Sequence, residues 1–355
     1  MVSVRKLAAL AGVSPMTVSR ALRDEPGVGQ ALRARILALA EEYHYHQNRL
    51  THGMMSGATR TLGCILPSMQ LSFYSRLLSG ILHAAYRAEY HVIVLVTSSD
   101  PERTRLALHS LIEHRVEGVL IHSEHPSLLS AELLLALQSN GVIPLCLDST
   151  PSARPVHAVL SDETQLAELA VGYLHRLGHR SIAYLGSLPQ GEGVGRRERP
   201  AAMRCALRRY GLPENYLFDP IPTRYFGRED AQQLAIIAPR VDELVTRLRA
   251  LSPRPTAILT PSEIIAAYLL QSLPVRGLRI PADMSVLCMS NTELADCLVP
   301  PLTTLDPHPE EIGQQAIAVL VEAINRCDTA TPVQPALHRV MARLCERASC
   351  APPPR

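Results

Sequence analysis

Tryptophan is absent from this chain of 355 residues, phenylalanine occurs three times and lysine once, at Lys6. Any aromatic stacking platform must therefore come from Phe73, Phe226 or tyrosines such as Tyr74, Tyr225 and Tyr268. No run approaches eighteen consecutive apolar residues, which argues against a membrane-spanning helix. The opening MVSVRKLAALAGV also lacks the apolar stretch and small-residue cleavage site of a secretory signal, so a cytoplasmic protein is expected. The eight cysteines form no C-x-x-C pair and no Cys/His cluster, a pattern of reduced core thiols that gives no metal site and no disulfide framework. None of the fourteen histidines falls in a triad-like or metal-ligand pattern; His44 and His46 lie on or just beyond a helix, and His179 precedes a strand. GEGVG is not followed by GK[ST], which leaves it a plain loop. No catalytic residue, metal or cofactor is expected, and the chain does not read as an enzyme.

The length suits two or three domains, and 47% hydrophobic residues can fill their cores. Net charge is only +2, but it is unevenly placed. Residues 1–57 carry seven Lys and Arg against four Asp and Glu, which leaves 28 basic and 29 acidic residues in the remainder. A small basic head on a near-neutral body is the electrostatic footprint of a nucleic-acid-binding module with a separate body. Arginine abundance alone adds little, because a chain with one lysine reflects genome composition too.

Ser3 is placed to cap a helix over residues 4–10. Gly12 supplies a turn, and Ser14 caps a second helix that opens on Pro15, where a missing N–H costs nothing. DEPGVG reads as a loop. A third helix over residues 30–43 puts Leu32, Ile36, Leu39, Ala40 and Tyr43 on one face, enough to cover the first two. From Thr61 the texture changes: TLGCIL, HVIVLV, GVLIH and PLCLD read as buried strands, with helices near 74–89, 102–114 and 128–140 between them. The pattern restarts at Val159 with a helix over 163–177, strand SIAYLG, a helix over 198–210, strand TAILT, a helix over 263–271 and strand MSVLCM. Two α/β units in series predict two lobes, with ligands beyond the carboxyl ends of the strands. SLPQGEGVGRRERP and LFDPIPTRYFG interrupt the pattern as a loop and a cleft edge, and the tail APPPR is expected to be disordered.

In PMTVSRAL, a helix-turn-helix reading points Pro15 and Met16 at the groove, gives Ser14, Thr17 and Ser19 to phosphates, buries Val18 and sends Arg20 to a base. Taken alone, the same residues also suit a three-helix cap with a solvated face.

SVRKLAALAGVSPMTVSRAL, followed by YHYHQNRLTHGMMSG, resembles the DNA-binding head and hinge of the LacI/GalR family of bacterial transcription regulators. The family order continues through RTLGCILPSMQLSFYSRLLSGI, VEGVLI, VLSDETQLAELAVGYLHRLGHRSIAYLG, RIPADMSVLCMS and LVPPLTTL, over more than three hundred residues. The resemblance implies an α/β fold class: an all-α helix-turn-helix head and a two-lobed periplasmic-binding-protein-like body with parallel sheets. The expected divisions are a head over 1–47, a hinge helix and linker over 48–60, an effector-binding and dimerisation domain over 61–345, and a disordered tail over 346–355. Arg20 matches the family's dependable base contact, and a guanidinium pairs with guanine O6 and N7, so a G is expected in each half-site. Pro15 and Met16 match positions that choose between operators, and would read by apolar contact. Asn48 and Met54 fall on the hinge helix, where Met54 stands for the usual Leu wedge of the minor groove. Gln47 replaces a usual Pro, Gly53 weakens the hinge, and Gly29 replaces a usual Ser cap.

In the body, the resemblance assigns the effector to Ser68, Phe73, Asp148, Arg199, Glu263 and Asn291. Carboxylate, guanidinium and amide groups with an aromatic ring suit a polyhydroxylated ligand such as a sugar. The family usually has Asp where Ser68 and Glu263 stand, and a short acidic turn at Ser290 and Asn291, which disfavours a familiar hexose. By residue type alone, Arg199 could be a solvated charge, Asp148 a strand-end cap and Phe73 core. The expectation is a homodimeric regulator, a repressor, binding a pseudo-palindromic double-stranded operator under control of a carbohydrate-like effector, with no membrane partner. The alternative is a cleft-binding sensor or carbohydrate-binding protein with weak or no DNA specificity.

Overall fold

A computed structural model describes residues 3–22, 24–45, 59–69, 72–98, 100–122, 130–147, 155–185, 194–214, 217–218, 232–326 and 334–354. The chain divides into two compact units, Met1–Thr59 and Arg60–Arg355.

The first unit is three helices: α1 (Val4–Ala11), α2 (Pro15–Leu22) and α3 (Gln30–Glu42). The Ser3 side chain accepts from the Lys6 N–H and starts α1, while Gly12 ends it in the left-handed region at φ 68°. Ser14 Oγ accepts from the Thr17 N–H at 3.2 Å and starts α2. α3 begins at Gly29 with no side-chain cap. Leu7, Ala8, Ala11, Val18, Ala21, Ile36 and Ala40 close a small core, flanked by the half-buried Leu32, Leu39 and Tyr43 of the expected α3 face. Arg33 secures the connecting loop through Asp24 and the Glu25 carbonyl.

The second unit holds two six-stranded sheets. The first lobe is built from β1 (Thr61–Leu66), α4 (Ser72–Arg87), β2 (His91–Val96), α5 (Pro101–Glu113), β3 (Gly118–His122), α6 (Ala131–Ser139), β4 (Ile143–Leu147) and β5 (His157–Ser161). The second runs through α7 (Glu163–Leu177), β6 (Ile182–Leu185), α8 (Val194–Arg209), β7 (Leu217–Phe218), α9 (Gln232–Ala250), β8 (Ala257–Thr260), α10 (Glu263–Val275), β9 (Ser285–Cys288), α11 (Leu294–Cys297) and β10 (Thr303–Asp306). The chain then returns through α12 (Pro309–Arg326) and β11 (Leu337–Val340) to the first sheet, and crosses again to β12 (Arg343–Cys345). Strand orders are β11-β5-β4-β3-β1-β2 and β12-β10-β9-β8-β6-β7, parallel throughout except for β12 against β10. Each sheet is covered on both faces: α4 and α12 oppose α5 and α6 in the first lobe, and α7 and α8 oppose α9 and α10 in the second. α4 and α12 pack backbone to backbone, since a Cβ on Gly80 would stand 2.1 Å from the Glu310 carbonyl oxygen.

α9, α12 and the last three strands add to the elements expected from sequence texture, and α8 starts at Val194, four residues before the expected position. One expectation is corrected. The tail is not disordered from residue 346: Ser349 donates to the Val286 carbonyl at 2.6 Å and accepts from the Thr303 N–H at 2.8 Å. Ala351 offers its carbonyl to Ser285 at 3.1 Å and to His179 at 3.0 Å. Proline cannot extend a sheet, but Ser349 to Ala351 carry the donors and acceptors that β9 needs before the prolines begin. His179 is fully buried between Thr256, Ser285 and this tail, and burial holds its pKa below the ordinary imidazole value.

Candidate DNA-reading surface and effector site

In the first unit, the short α2 sorts its side chains by helical spacing. Val18 is fully buried, while Pro15, Met16 and Arg20 stand exposed on the other side, with Met16 54% accessible. Ser14 and Thr17 share a hydrogen bond at 2.9 Å at the amino end of α2, and Ser19 lies half-buried one turn on. Hydroxyls and exposed amides at a helix amino terminus form an anion-attracting edge, and the apolar Pro15 and Met16 adjoin it. The side of α2 that is not core therefore carries one guanidinium, two apolar groups and a row of hydroxyls. Asn48, Met54 and the rest of the expected hinge lie outside the described residues.

In the second unit, the strands deliver their carboxyl ends to one region of each lobe. β1 runs out at Leu66 and leads to Ser68, which is buried. Phe73 is the second residue of α4 and half-buried; its ring meets Tyr74 edge-on at 5.5 Å and the ring of His122, at the end of β3, at 6.3 Å. Tyr74 and His122 are themselves 4.9 Å apart at 85°. Phe73 is thus part of an aromatic cluster and not an isolated platform. Asp148, one residue past β4, lies outside the described residues.

The second lobe presents charge. Glu263 is the first residue of α10 and only 5% exposed; its carboxylate accepts from Thr292 Oγ1 at 2.8 Å and Ser290 Oγ at 3.5 Å. Burial raises its pKa above the usual carboxylate range, against the pull of those hydroxyls and of Arg76. Arg199, on the second turn of α8, makes a two-pronged pair with Glu163, Nε and Nη2 each 2.6 Å from a carboxylate oxygen. Both Glu263 and Arg199 act electrostatically on the fully buried Cys288 at the end of β9. Burial first, then Glu263, holds the Cys288 thiol well above its ordinary pKa, while Arg199 pulls the other way.

The structure does not bring Asn291 to Glu263. Its amide nitrogen donates to Asp306 at 3.2 Å, and its amide oxygen accepts from Thr304 at 2.6 Å and Arg347 at 3.1 Å. Asn291 instead fixes the turn that carries Ser290 and Thr292. The same turn is held from the first lobe by Arg76 of α4, which donates to the Asn291 carbonyl, to Asp306 at 3.3 Å and to Glu310 at 2.5 and 2.7 Å. Burial works to raise the Asp306 carboxyl, yet the His308 N–H and Arg76 together hold it below the usual range. Arg76 and Glu163 are absent from the expected site residues. The one signal for Glu163 was the acidic pair opening α7: Asp162 takes the cap, bonding the Gln165 N–H at 2.9 Å, and leaves Glu163 for another partner.

Among the described residues, no three His, Cys, Asp or Glu side chains converge as a metal site. No helix among them is long and apolar enough to cross a membrane.

Residues 4–48 match the family model of bacterial regulatory proteins of the lacI family, and residues 171–350 match that of a periplasmic binding protein-like domain. The chain is 28% identical over 328 residues to the HTH-type transcriptional repressor PurR of Vibrio parahaemolyticus, covering 92% of each protein. It is also 28% identical over 332 residues to the repressor of that name from Vibrio atlanticus, covering 92% of this chain and 93% of that one. Among solved structures, the lac repressor dimer bound to operator and the anti-inducer ONPF superposes with a TM-score of 0.80 at 24% identity, covering 99% of both chains. The transcriptional regulator CelR in complex with cellobiose superposes with a TM-score of 0.66 at 22% identity, covering 98% of this chain and 100% of that one. These likenesses carry the fold.

Proposed function

The chain belongs to the LacI family of bacterial regulatory proteins and is a DNA-binding transcriptional repressor with an effector-binding domain; from that premise we propose how it reads DNA and what its body senses. The observation that carries the reading is the division of labour between the units: a helix whose Pro15, Met16 and Arg20 face outward in one, and, in the other, two parallel sheets with Ser68 following β1, Phe73 on α4, Arg199 on α8 and Glu263 at the start of α10. Arg20 holds a guanine edge, Met16 and Pro15 meet apolar base surface such as a thymine methyl, and Ser14, Thr17 and Ser19 hold phosphates. Two copies occupy a pseudo-palindrome, with Asn48 and Met54 of each hinge serving the minor groove.

The effector, a sugar or sugar derivative, sits between the lobes against Phe73 and Ser68 of the first and Arg199 and Glu263 of the second, and Asp148, which follows β4 of the first lobe in the sequence, serves it too. Asn291 acts through the turn it fixes. Ligand occupancy changes lobe closure, and operator affinity follows the ligand's differential affinity for the two lobe arrangements. A carboxyl and a guanidinium in the second lobe, with an aromatic cluster in the first, support recognition of a polar ligand.

Selection of fragmented genomic DNA on the purified protein, at stated salt, tests the reading. The expected result is a palindrome with a G in each half-site. Absence of enrichment both with and without a panel of candidate sugars would remove the operator reading.

A further inference from the structure

The chain crosses between the lobes three times, from β5 to α7, from β10 to α12 and from β11 to β12. Arg76 lies on none of these crossovers, yet its guanidinium straddles the second. On the α12 side, Nε and Nη2 hold the Glu310 carboxylate at 2.5 and 2.7 Å. On the β10 side, Nη1 and Nη2 reach the Asp306 carboxylate at 3.4 and 3.3 Å, and Nη1 also donates to the Asn291 carbonyl. The two sides differ in rigidity. A Cβ on Gly80 would stand 2.1 Å from the Glu310 carbonyl oxygen and one on Gly313 2.5 Å from the Leu77 carbonyl oxygen, so α4 and α12 interlock and carry Arg76 and Glu310 as one body. Asp306 belongs to the other lobe, where the His308 N–H at 2.9 Å and the Asn291 amide at 3.2 Å also hold it. A change of lobe angle at the 306–309 crossover therefore leaves the Glu310 pair intact and stretches the longer Asp306 contacts beyond hydrogen-bond reach. Both proposed walls of the effector site lie close to this contact in the chain. Phe73 stands three residues before Arg76 on the same side of α4, and Ser290 and Thr292, which flank Asn291, donate to Glu263 at 3.5 and 2.8 Å.

We infer that Arg76 is a positioning residue that latches the β10–α12 crossover in one lobe arrangement, and so sets how much of the protein adopts that arrangement before an effector binds. The inference rests on the reading above that lobe arrangement governs operator affinity, and adds the residue that sets the ligand-free balance. Contacts made in both arrangements cancel from the equilibrium between them, whereas contacts made in one weight it by their whole free energy. The Glu310 pair is of the first kind, and the Asp306 and Asn291 contacts are of the second. With side chains 22% and 7% exposed, Arg76 and Asp306 are poorly screened by water, so their pair outweighs an exposed one. An effector seated between Phe73 and Glu263 acts on the latch from both ends, through α4 on one side and the 290–292 turn on the other.

The lobe arrangement itself is the readout, because lost stability alone does not move it. Spin labels are placed on the full chain through His109→Cys on α5 and Arg249→Cys on α9, both exposed, with Cys205, Cys297, Cys327 and Cys345 replaced by Ser. The labelled chain is mixed into an excess of unlabelled chain, so that each measured pair lies within one chain. Without ligand, Arg76→Gln and Asp306→Asn are each expected to raise the population of a second label distance at least about fivefold relative to the first, the scale of an ordinary coupling energy. Leu134→Ala, in the buried core of the first lobe, should lower stability and leave the distribution unchanged. A ratio within twofold of wild type in folded Arg76→Gln would overturn the inference, as would a shift of the same size in Leu134→Ala. Should Arg76→Gln not fold, Asp306→Asn decides by the same criterion. Operator affinity of the same variants is the second arm. A shifted distribution with constant operator affinity would keep the latch and remove lobe closure as the control of DNA binding, while an unshifted one would overturn the latch whatever the operator affinity does.

Discussion

The two units hold their recognition groups in opposite conditions. On α2 of the first unit, Pro15, Met16 and Arg20 project from a helix whose only buried anchors are Val18 and Ala21. In the second unit, Arg199, Glu263, Asn291 and Arg76 are buried or half-buried and bonded to other side chains of the same chain. Exposed groups are paid for by the partner they meet, whereas pre-bonded groups are already part of the fold. Substitutions in the first unit should therefore change recognition and spare stability, and those in the second should change both.

The largest effect falls where the lobes meet. Arg76→Ala leaves the buried Asp306 without its guanidinium and frees the Asn291 turn from α4, and is expected to cost about 2–3 kcal/mol of stability. Urea unfolding of the full chain measures it. The folded Asp306 carboxyl titrates below its unfolded value, so its contribution is present above the unfolded pKa and is lost as pH falls through the folded one. Arg76→Ala should accordingly flatten the acid limb of the stability profile. An unchanged acid limb would mean that His308, not Arg76, sets the carboxyl.

Arg20→Ala is the contrasting case. Loss of one bidentate guanine contact should cost about 1–3 kcal/mol of discrimination between operator and random DNA, with a melting temperature within experimental error of the wild type. Competition binding on the selected operator and on a variant with its G replaced provides both numbers. Retained preference for G would remove Arg20 from the base edge, and a large stability loss would break the comparison itself.

Glu263→Gln separates the two conditions within one residue. Burial raises the folded carboxyl pKa, so the folded state holds its proton more tightly than the unfolded state does. The stability this gives is complete below the unfolded pKa and is lost as pH rises through the folded one. The uncharged Gln does not lose it. Without ligand, the variant should match the wild type in acid and exceed it increasingly as the pH is raised to neutral, while effector binding weakens. A gap that shrinks with rising pH would show that Thr292 and Ser290 outweigh burial.

The same contrast governs what could be read from the sequence. The α2 arrangement was legible because a cap at Ser14, Pro15 at the first position and Val18 three residues on are relations within one turn or two. The sheets were legible because TLGCIL and GVLIH are continuous apolar runs, as strands buried on both faces must be. The Glu163–Arg199 pair spans 36 positions and Arg76–Glu310 spans 234, and no periodicity connects residues so far apart. Resemblance placed Arg199 in the effector site but carried no information about its partner. Asn291 was matched by position, yet its orientation depends on Thr304, Asp306 and Arg347, which come from later strands and the tail. The tail was misread for the same reason: APPPR has no pattern of its own, and its order comes from Ser285 and His179, more than sixty residues away.

Met16→Ala should give the smallest effect and is the sharpest test of the exposed condition. Met16 lies at the outward amino end of α2, 54% accessible, and contributes no side chain to the small core. Its thioether has no strong donor or acceptor, so it can favour a base only through apolar contact. Truncation to Ala removes that area and raises helix propensity slightly, which predicts no loss of stability. Operator affinity should fall by less than about 1 kcal/mol, concentrated at one base pair of each half-site. A library randomised at each position would show this as a single flattened column beside an intact G column. If every column weakened together, Met16 would be positioning the helix and not reading a base. If none changed, the apolar face of α2 would carry no sequence information, and Arg20 alone would have to supply it.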